Sequence, residues 1–363
     1  MKAWRDAASL ILAARHGQKY NRSVAATTHN YNLLCLQRHH KSHFMPGSYV
    51  FPGGVVDPAD ADVKWRELFA AFGFDDGSLA SLIPRVATRP LIFRPRQNEL
   101  PREITLRITA IRETFEESGV LICRRRRDGG DAGISIWARH MSMPKNELQT
   151  WQSKVHKDAT LFFELCEKLQ CCPDLWALHE WSNWLTPTVM PTTRYNTIFY
   201  MACLPFKPNA KYEANEMEGL KWETPQNLMM DSTVLPPPQK YTIAQLAGLK
   251  DIDNLLDSAV ERNKEGVQLY LPIFVQLKDG TVSVLPGDTV YPKEVNLLEK
   301  QIIIDKSDVT IDEYREMTPM KNRLEFHDMG IKVVVSDNLP TKGIQVSFVQ
   351  KIAEEEPEIK NKL

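Results

Sequence analysis

Three glutamates, Glu113, Glu116 and Glu117, occupy positions i, i+3 and i+4 of the segment RETFEESGV. Residues at this spacing lie on one face of an α-helix, so the three carboxylates would stand close together. Like charges in such a cluster destabilise a helix unless a cation binds between them. Hard carboxylate oxygens suit Mg²⁺ or Mn²⁺, ions that can bridge to the phosphates of a substrate. The segment therefore predicts a divalent-metal site, although E-x-x-E-E taken alone is more often a solvated acidic face.

The helix that carries these glutamates is predicted to begin near Leu106 and to end at Gly119. Apolar residues recur on its second face at helical spacing, which is typical of an amphipathic helix packed on a core. Glycine readily adopts the left-handed conformation that ends helices. Upstream, a short strand at residues 49–51 runs into Pro52-Gly53-Gly54, where proline removes a donor and the glycines permit a sharp turn.

Other apolar runs predict the strands and helices around this helix. Strands are expected at 8–14, 31–38, 181–187, 197–204 and 220–222, and helices at 147–169, 226–230 and 241–262. A hairpin is expected around Asp279-Gly280, because Asp-Gly is a preferred turn pair. We expect an α+β domain over residues 1–235, with an insertion at about 60–101, and a C-terminal extension over 236–363 that packs on the core and ends in a disordered tail.

The composition is that of an ordinary soluble globular protein. Of the 363 residues, 43% are hydrophobic and 25% are charged, and the formal net charge is -1. No global charge directs the chain to nucleic acid or to a membrane, and no apolar run approaches the length of a membrane span. The six cysteines include no C-x-x-C pair, which predicts neither a zinc site nor a disulfide framework and favours a reducing compartment.

The segment from Arg112 to Val120 resembles the second half of the motif that defines the Nudix hydrolase family, R-E-U-x-E-E-x-G-U with U apolar; Thr114 departs from it at the first U. The resemblance implies an α/β/α sandwich with a mixed β-sheet. It also implies that Glu113, Glu116 and Glu117 are metal ligands, that Arg112 orients Glu113, and that an acidic residue such as Glu216 serves as a further ligand or as the base.

The first half of the family motif is less clear. With an insertion, Gly54 is its leading glycine and Asp60 replaces its glutamate; without one, Asn98 and Ile104 occupy those two positions.

The stretch around FPGG resembles the motif of coenzyme A diphosphatases within this family, and implies that Arg38, Gly53 and Gly54 contact the substrate. The segments at residues 176–205 and 214–225 resemble the animal peroxisomal acyl-coenzyme A diphosphatases. The resemblance implies cleavage of coenzyme A or acyl-coenzyme A to 3′,5′-ADP and 4′-phosphopantetheine or its acylated form. The end, Asn361-Lys362-Leu363, is a variant of the S-K-L address, so we expect binding to the peroxisomal import receptor, with mitochondrion or cytoplasm as the alternative.

Two other functions stay open at this point. The chain could hydrolyse ADP-ribose, NADH or a capped RNA end, or it could be a Nudix module that binds without hydrolysis. The basic run Arg124-Arg125-Arg126-Arg127 is interpreted as a solvated loop, and His39, His40 and His43 as exposed loop residues without a partner at ligand spacing. Trp176, Trp181 and Trp184 are interpreted as core residues, and Arg194 as a weaker candidate for substrate contact.

Overall fold

The first strand, β1 (Arg5–Arg15), is apolar on both faces, and every residue from Ala7 to Ala14 is buried. A strand that is buried on both faces belongs in the middle of a covered sheet. β1 pairs in parallel with one strand along residues 5–14, and antiparallel with two others along its opposite edge. It is therefore the central strand of a mixed sheet.

The computed structural model describes residues 4–16, 28–42, 45–125, 135–230, 233–328, 330–337 and 347–349. It divides into two compact units. The first, called the larger unit, contains residues 5–184 and 195–269, and the second, called the smaller unit, contains residues 1–4, 185–194 and 270–363.

The larger unit contains the sheet and the helices that cover it. Its further strands are β2 (Tyr31–Arg38), β3 (Tyr49–Val50), β4 (Gly53–Val55), β5 (Cys123–Arg125), β6 (Cys171–Pro173), β7 (His179–Leu185), β8 (Tyr195–Leu204) and β9 (Met217–Glu223), and β10 (Leu269–Tyr270) lies at its end. Its helices are α1 (Trp65–Ala71), α2 (Asp76–Ala80), α3 (Arg102–Ser118), α4 (Lys145–Lys157), α5 (Leu161–Lys168), α6 (Pro225–Met230), α7 (Pro237–Leu246) and α8 (Ile252–Glu265). Short 3₁₀ turns occur at Pro58–Ala61, Leu91–Phe93 and Leu175–Ala177.

The order of the main sheet is β7-β8-β1-β2-β3, with β4 paired to β1 and β9 paired to β2. The smaller unit contains β11 (Ile273–Leu277), β12 (Gly280–Val284), β13 (Glu294–Asn296), β14 (Ile304–Lys306), α9 (Ile311–Met317), β15 (Asn322–His327), β16 (Gly330–Val335) and β17 (Ser347–Val349). β11 and β12 form the predicted antiparallel hairpin, with Leu277 opposite Gly280. The prediction of an α+β fold with a mixed sheet, an insertion and a C-terminal hairpin is confirmed.

Helix α3 begins four residues earlier than predicted, so the predicted start near Leu106 is wrong. Its first turn looks polar in sequence, but Arg102 and Glu103 are buried and paired. Arg102 Nη2 donates to Asp6 Oδ2 at 2.9 Å, and the Glu103 carboxylate lies 3.3 Å from Arg89 Nη2. Buried ion pairs therefore extend the helix beyond the apolar pattern that the prediction followed.

Two predicted helices are each divided in two. Residues 147–169 form α4 and α5, because the Asp158 side chain accepts hydrogen bonds from the backbone and hydroxyl of Thr160 and its own backbone is extended. Residues 241–262 form parts of α7 and α8, because Asp251 caps the start of the second helix by accepting from the Asp253 and Asn254 backbones. Short polar side chains compete in this way with helical hydrogen bonds.

The predicted insertion at residues 60–101 packs into the main core. Trp65 and Phe69 are almost fully buried, and the Trp65 ring lies 4.9 Å from that of Phe163 in α5. Phe74 stacks on Trp176 with 4.0 Å between the ring centroids. The insertion is therefore part of the hydrophobic core, where it packs on α5 and on the 3₁₀ turn at residues 175–177.

The predicted boundary after residue 235 differs from the division into units, which falls between Leu269 and Tyr270. Helices α7 and α8 belong to the larger unit. Asn30 donates to Asp251 at 3.0 Å and accepts from the Ile252 backbone at 2.8 Å, while Arg15 pairs with Asp253 at 2.8 Å. These contacts join the start of α8 to the central strands. None of the helices in the described part of the chain combines the length and the hydropathy that a bilayer crossing requires.

Candidate metal and catalytic site

The C-terminal end of α3 is held by two different caps. Gly119 adopts a left-handed φ of 70° and donates to the Phe115 carbonyl at 2.8 Å, as predicted for a helix-ending glycine. The Gln152 side-chain amide, buried in α4, donates to the carbonyls of Phe115 and Glu116 at 3.3 Å and of Lys211 at 3.1 Å. The turn of α3 that carries Glu116 and Glu117 is therefore fixed from outside the helix.

Gly53 and Gly54 bring the sheet edge against this helix. The Gly53 N–H donates to Glu117 Oε2 at 2.8 Å. A Cβ on Gly54 would lie only 2.5 Å from the carboxyl carbon of Glu113, and one on Gly53 only 2.4 Å from the Ala8 carbonyl oxygen. Only glycine fits at either position, because anything larger would displace a carboxylate or the central strand.

Arg112 joins the acidic residues of the site. Its Nε donates to Asp60 Oδ1 at 2.7 Å and its Nη2 to Asp60 Oδ2 at 2.9 Å, a two-point contact typical of buried arginine and carboxylate. Its Nη1 lies 2.5 Å from Glu116 Oε1 and 3.0 Å from Glu113 Oε1. Of the two alignments that the sequence left open, the one with Gly54 and Asp60 fits the acidic face of α3, because Asp60 pairs with Arg112 and Gly54 lies against the Glu113 carboxylate.

Asp60 is itself held in place by its neighbours. It is buried, accepts from the Thr109 hydroxyl at 2.8 Å, and forms a capping box with Asp57 at the 3₁₀ turn of residues 58–61. Asp60 therefore fixes the arginine that contacts Glu113 and Glu116.

Burial and mutual repulsion make these carboxyls hard to ionise. Burial raises the pKa of Glu113 to about 8 and that of Glu116 to about 7, against the attraction of Arg112. Burial, then the charge of Glu113, raises the pKa of Glu117, while the Gly53 N–H and Arg38 lower it. Four carboxyls, those of Asp60 and the three glutamates, face one guanidinium, which leaves an excess of negative charge when all are ionised.

Hard oxygen donors and this excess negative charge fit a divalent cation. Such an ion would be held by Glu113, Glu116 and Glu117, the side chains predicted as ligands. His156 Nδ1 lies 3.8 Å from Glu116 Oε2 on the α4 side. Neither Gln152 nor His156 was predicted. Both lie on α4, which is separate from α3 in the sequence, and no local motif marks either residue.

The loop before β9 brings Glu216 towards the site. The backbone N–H groups of Lys211 and Glu213 donate to the carbonyls of Ser118 and Glu117, at 2.8 and 3.0 Å. Glu216 is exposed, its backbone carbonyl accepts from the His39 N–H at 2.9 Å, and its charge contributes to the raised pKa of each helix glutamate. Glu216 therefore faces the carboxylates from the solvent side.

Arg38 is the last residue of β2, where its backbone pairs with that of Ser48 at 2.9 Å. Its Nη2 donates to the Ser42 hydroxyl at 3.0 Å, and its positive charge acts to lower the pKa of Glu117. His39 and His40 follow, with a carboxylate that the sequence spacing did not reveal. Glu218 accepts from His40 Nδ1 at 2.9 Å, and one donor atom from each of these three residues lies within 4.8 Å of the others.

Other residues weighed in the sequence lie in structural contacts. Arg124 is buried against Asp174, with Nη2 2.6 Å from Oδ1, so its interpretation as part of a solvated loop is wrong. Residues 126 and 127 of that run, and His43, lie outside the described residues. Arg194 donates to the carbonyls of Thr186 and Leu297, at 2.8 and 2.9 Å. Trp176, Trp181 and Trp184 are buried, which confirms them as core residues.

Comparison with protein families matches two models to this chain. The NUDT19 Nudix domain matches residues 4–246, which include the whole of α3 and the glycine turn. The NUDT19 C-terminal domain matches residues 274–334, within the smaller unit.

Comparison with individual proteins gives relatives of similar length. The acyl-coenzyme A diphosphatase NUDT19 of Gallus gallus is 34% identical over 347 residues, 92% of this chain and 90% of its own. That of Homo sapiens is 34% identical over 345 residues, 89% of this chain and 88% of its own. Among solved structures, a NUDIX hydrolase from Alicyclobacillus acidocaldarius matches with a TM-score of 0.48 and 19% identity, over 71% of this chain and 97% of its own.

Proposed function

The chain belongs to the Nudix hydrolase family, and from that premise we propose that it hydrolyses the diphosphate bond of coenzyme A and acyl-coenzyme A. The products would be 3′,5′-ADP and 4′-phosphopantetheine or its acylated form. The observation that carries the proposal is the identity of about one third to acyl-coenzyme A diphosphatases over nearly the full length of both chains. The predicted α/β/α Nudix fold is confirmed by the same family match.

Nudix hydrolases require divalent metal ions, and we propose Mg²⁺ or Mn²⁺ for this one. The ligands would be Glu113, Glu116 and Glu117, whose hard oxygens suit either ion. When bound, the ion supplies charge neutralisation on the diphosphate and lowers the pKa of a water molecule.

The residues of the chain have separate parts in this reaction. Arg112, which donates two hydrogen bonds to Asp60, orients Glu113 and Glu116. The Gly53 N–H fixes Glu117. Glu113 or Glu216 takes a proton from the attacking water, whose oxygen forms the new bond to phosphorus as the bond to the bridging oxygen breaks.

Substrate contacts are proposed at the glycine turn and at the end of β2. The backbones of Gly53 and Gly54 would allow a diphosphate to approach the carboxylates without a side chain in the way. Arg38 would add a positive charge that binds a phosphate of the substrate. It is near enough to the site for this, since its charge acts to lower the pKa of Glu117.

The experiment that tests this function compares possible substrates. The purified full chain with Mg²⁺ is incubated in parallel with coenzyme A, an acyl-coenzyme A, ADP-ribose, NADH and capped RNA, and the products are identified by mass. Formation of 3′,5′-ADP and phosphopantetheine faster than any other cleavage supports the proposal. Faster cleavage of another diphosphate would overturn the coenzyme A assignment, and binding of coenzyme A without cleavage would indicate a non-hydrolysing module.

We further propose that the protein is peroxisomal, with mitochondrion or cytoplasm as the alternative. The terminal residues Asn361-Lys362-Leu363 would bind the peroxisomal import receptor. These residues lie outside those that the structure describes, so the proposal is supported by the sequence alone.

A further inference from the structure

Three cysteines that are separate in sequence meet in the interior of the larger unit. Cys123 comes from β5, Cys166 from α5 and Cys171 from β6, and all three are fully buried. Their sulfur atoms lie within 4.8 Å of one another, and none of them is in a disulfide. Residue spacing did not reveal this cluster, because Cys166 is 43 positions after Cys123 and no C-x-x-C pair occurs.

The three thiols interact with one another and with a cation. Cys171 accepts hydrogen bonds from Cys123 and Cys166, and the charge of Arg125 acts on the same sulfur. Burial raises the pKa of the other two thiols. Three sulfur atoms within 4.8 Å of one another are close enough to share one ion, and cysteine binds metals as the thiolate.

We propose that Cys123, Cys166 and Cys171 form a three-coordinate site for a soft, thiophilic metal ion, and that Cu(I) is the ion that fits. Thiolate sulfur selects soft ions over Mg²⁺ or Mn²⁺, so this site is distinct from the glutamate site. It does not depend on the proposed hydrolysis.

The number of ligands distinguishes copper from zinc. Structural zinc sites have four protein ligands, and open zinc sites complete the set with water. In the part of the chain that the structure describes, the group that includes these sulfurs contains three members, and all three residues are fully buried, so the site offers three sulfur ligands and no solvent-exposed fourth position. Three sulfurs without water suit a trigonal ion.

Binding would release protons and change stability. Each thiol that coordinates as thiolate gives its proton to the solvent, and Arg125 balances part of the negative charge that remains. Because the ligands come from two strands and a helix, only the folded protein presents the complete site. Cu(I) would therefore stabilise the folded state.

The test is an anaerobic titration of the full-length reduced protein with Cu(I), in competition with a coloured Cu(I) chelator. We expect one tightly bound ion per chain and a higher melting temperature in its presence. Cys171→Ala should weaken binding by at least about 10- to 100-fold, the loss that follows when only a partner orienting a metal ligand is removed. Cys203→Ala is the matched control, since Cys203 is equally buried, in β8, but is outside the cluster.

Copper-edge X-ray absorption on the wild-type protein keeps the test independent of how the variants fold. Three sulfur neighbours with no nitrogen or oxygen neighbour would support the site. Equal copper binding by wild type and Cys171→Ala would overturn it, and so would nitrogen or oxygen ligation. Stoichiometric zinc that copper cannot displace would overturn the three-coordinate assignment.

Discussion

At the scale of single residues, the acidic face of α3 is a set of groups that repel one another and are held together by fixed partners. Arg112 contacts Glu113 and Glu116, and the Gly53 N–H contacts Glu117. These partners offset only part of the charge, and burial raises the pKa of every one of the three glutamates. A divalent ion would relieve both the repulsion and the burial of charge.

The raised pKa values predict that divalent ions stabilise the protein more at high pH. The folded, metal-free protein keeps protons on Glu113 and Glu116 up to about pH 8 and 7, whereas the unfolded chain loses them near 4.5. Folding therefore binds protons in this window, and the contribution of these carboxyls to stability falls as the pH rises through it.

The measurement is the melting temperature from pH 5 to pH 9, with Mg²⁺ and with a chelator. Because the metal competes with protons for the same oxygens, we expect the melting temperature with Mg²⁺ to exceed that with the chelator by an amount that grows with pH. A difference that is constant over this range would contradict the assignment of these groups as ligands.

Gly54→Ala should lower kcat while the fold is retained. The added methyl would lie 2.5 Å from the Glu113 carboxyl carbon, so this carboxylate must move. A displacement of about 1 Å can cost about 100-fold in rate. Gly248→Ala is the control, because the nearest atom to its added methyl is the Gln245 carbonyl oxygen at 3.7 Å. Steady-state rates and circular dichroism of both variants check this, and an unchanged kcat in Gly54→Ala would contradict the close approach.

Residue spacing predicted the glutamate face because i, i+3 and i+4 on a helix fix which side chains are neighbours. The sequence left two alignments for the first half of the family motif, and only one of them includes Asp60. The pairing of Asp60 with Arg112 depends on how the intervening chain folds, so spacing alone could not choose between them. The cysteine cluster and Gln152 could not be predicted, because their contacts join separate elements.

At the scale of elements, α3 depends on its neighbours for its ends as well as for its packing. Its first turn extends through buried ion pairs, and its last turn is capped by Gln152 from α4 and by the backbone of residues 211–213. Because Gln152 also contacts the Lys211 carbonyl, one side chain joins α3 to the loop that carries Glu216.

Gln152→Leu should therefore weaken both stability and catalysis. The change leaves the buried Glu116 and Lys211 carbonyls without this donor, and an unsatisfied buried group costs about 1–3 kcal/mol. We expect a loss of that size in the free energy of unfolding and a lower kcat. Gln149→Leu on the exposed face of α4 is the control. Equal denaturation midpoints for the two variants would show that the cap contributes nothing.

Strand positions followed closely from apolar runs, with residues 31–38 predicted as observed. Helix ends were less predictable. The breaks at Asp158 and Asp251 depend on single side chains that hydrogen-bond to nearby backbone, and the helical spacing of apolar residues continues on both sides of each break.

At the scale of the whole molecule, most of the first family match, residues 4–246, lies in the larger unit, and the second match, residues 274–334, lies in the smaller unit. The larger unit contains the glutamate site and the cysteine cluster, and it extends through α8 because Asn30 and Arg15 bond to the start of that helix. The sequence pattern placed the division at the proline run, Pro236-Pro237-Pro238, but these prolines lead into α7 within the larger unit.

The proposed C-terminal address would act on the whole chain in a cell. Deletion of Asn361-Lys362-Leu363 should move a tagged protein from peroxisomes to the cytosol, and Asn361→Ser should increase its import, since serine is the usual first residue of this signal. Fluorescence microscopy with a peroxisomal marker checks both. Import that is unaffected by the deletion would contradict a role for these residues.

The most direct test of the central claim is hydrolysis of coenzyme A with Mg²⁺ by wild type, Glu117→Gln and Glu167→Gln. Glu117 is a proposed ligand on α3, and Glu167 is exposed on α5 and serves as the matched control. We expect Glu117→Gln to lower kcat/KM by more than about 100-fold, with an unchanged circular dichroism spectrum and with Glu167→Gln as active as wild type. Retained turnover by folded Glu117→Gln would contradict the assignment of the acidic face of α3 as the catalytic metal site.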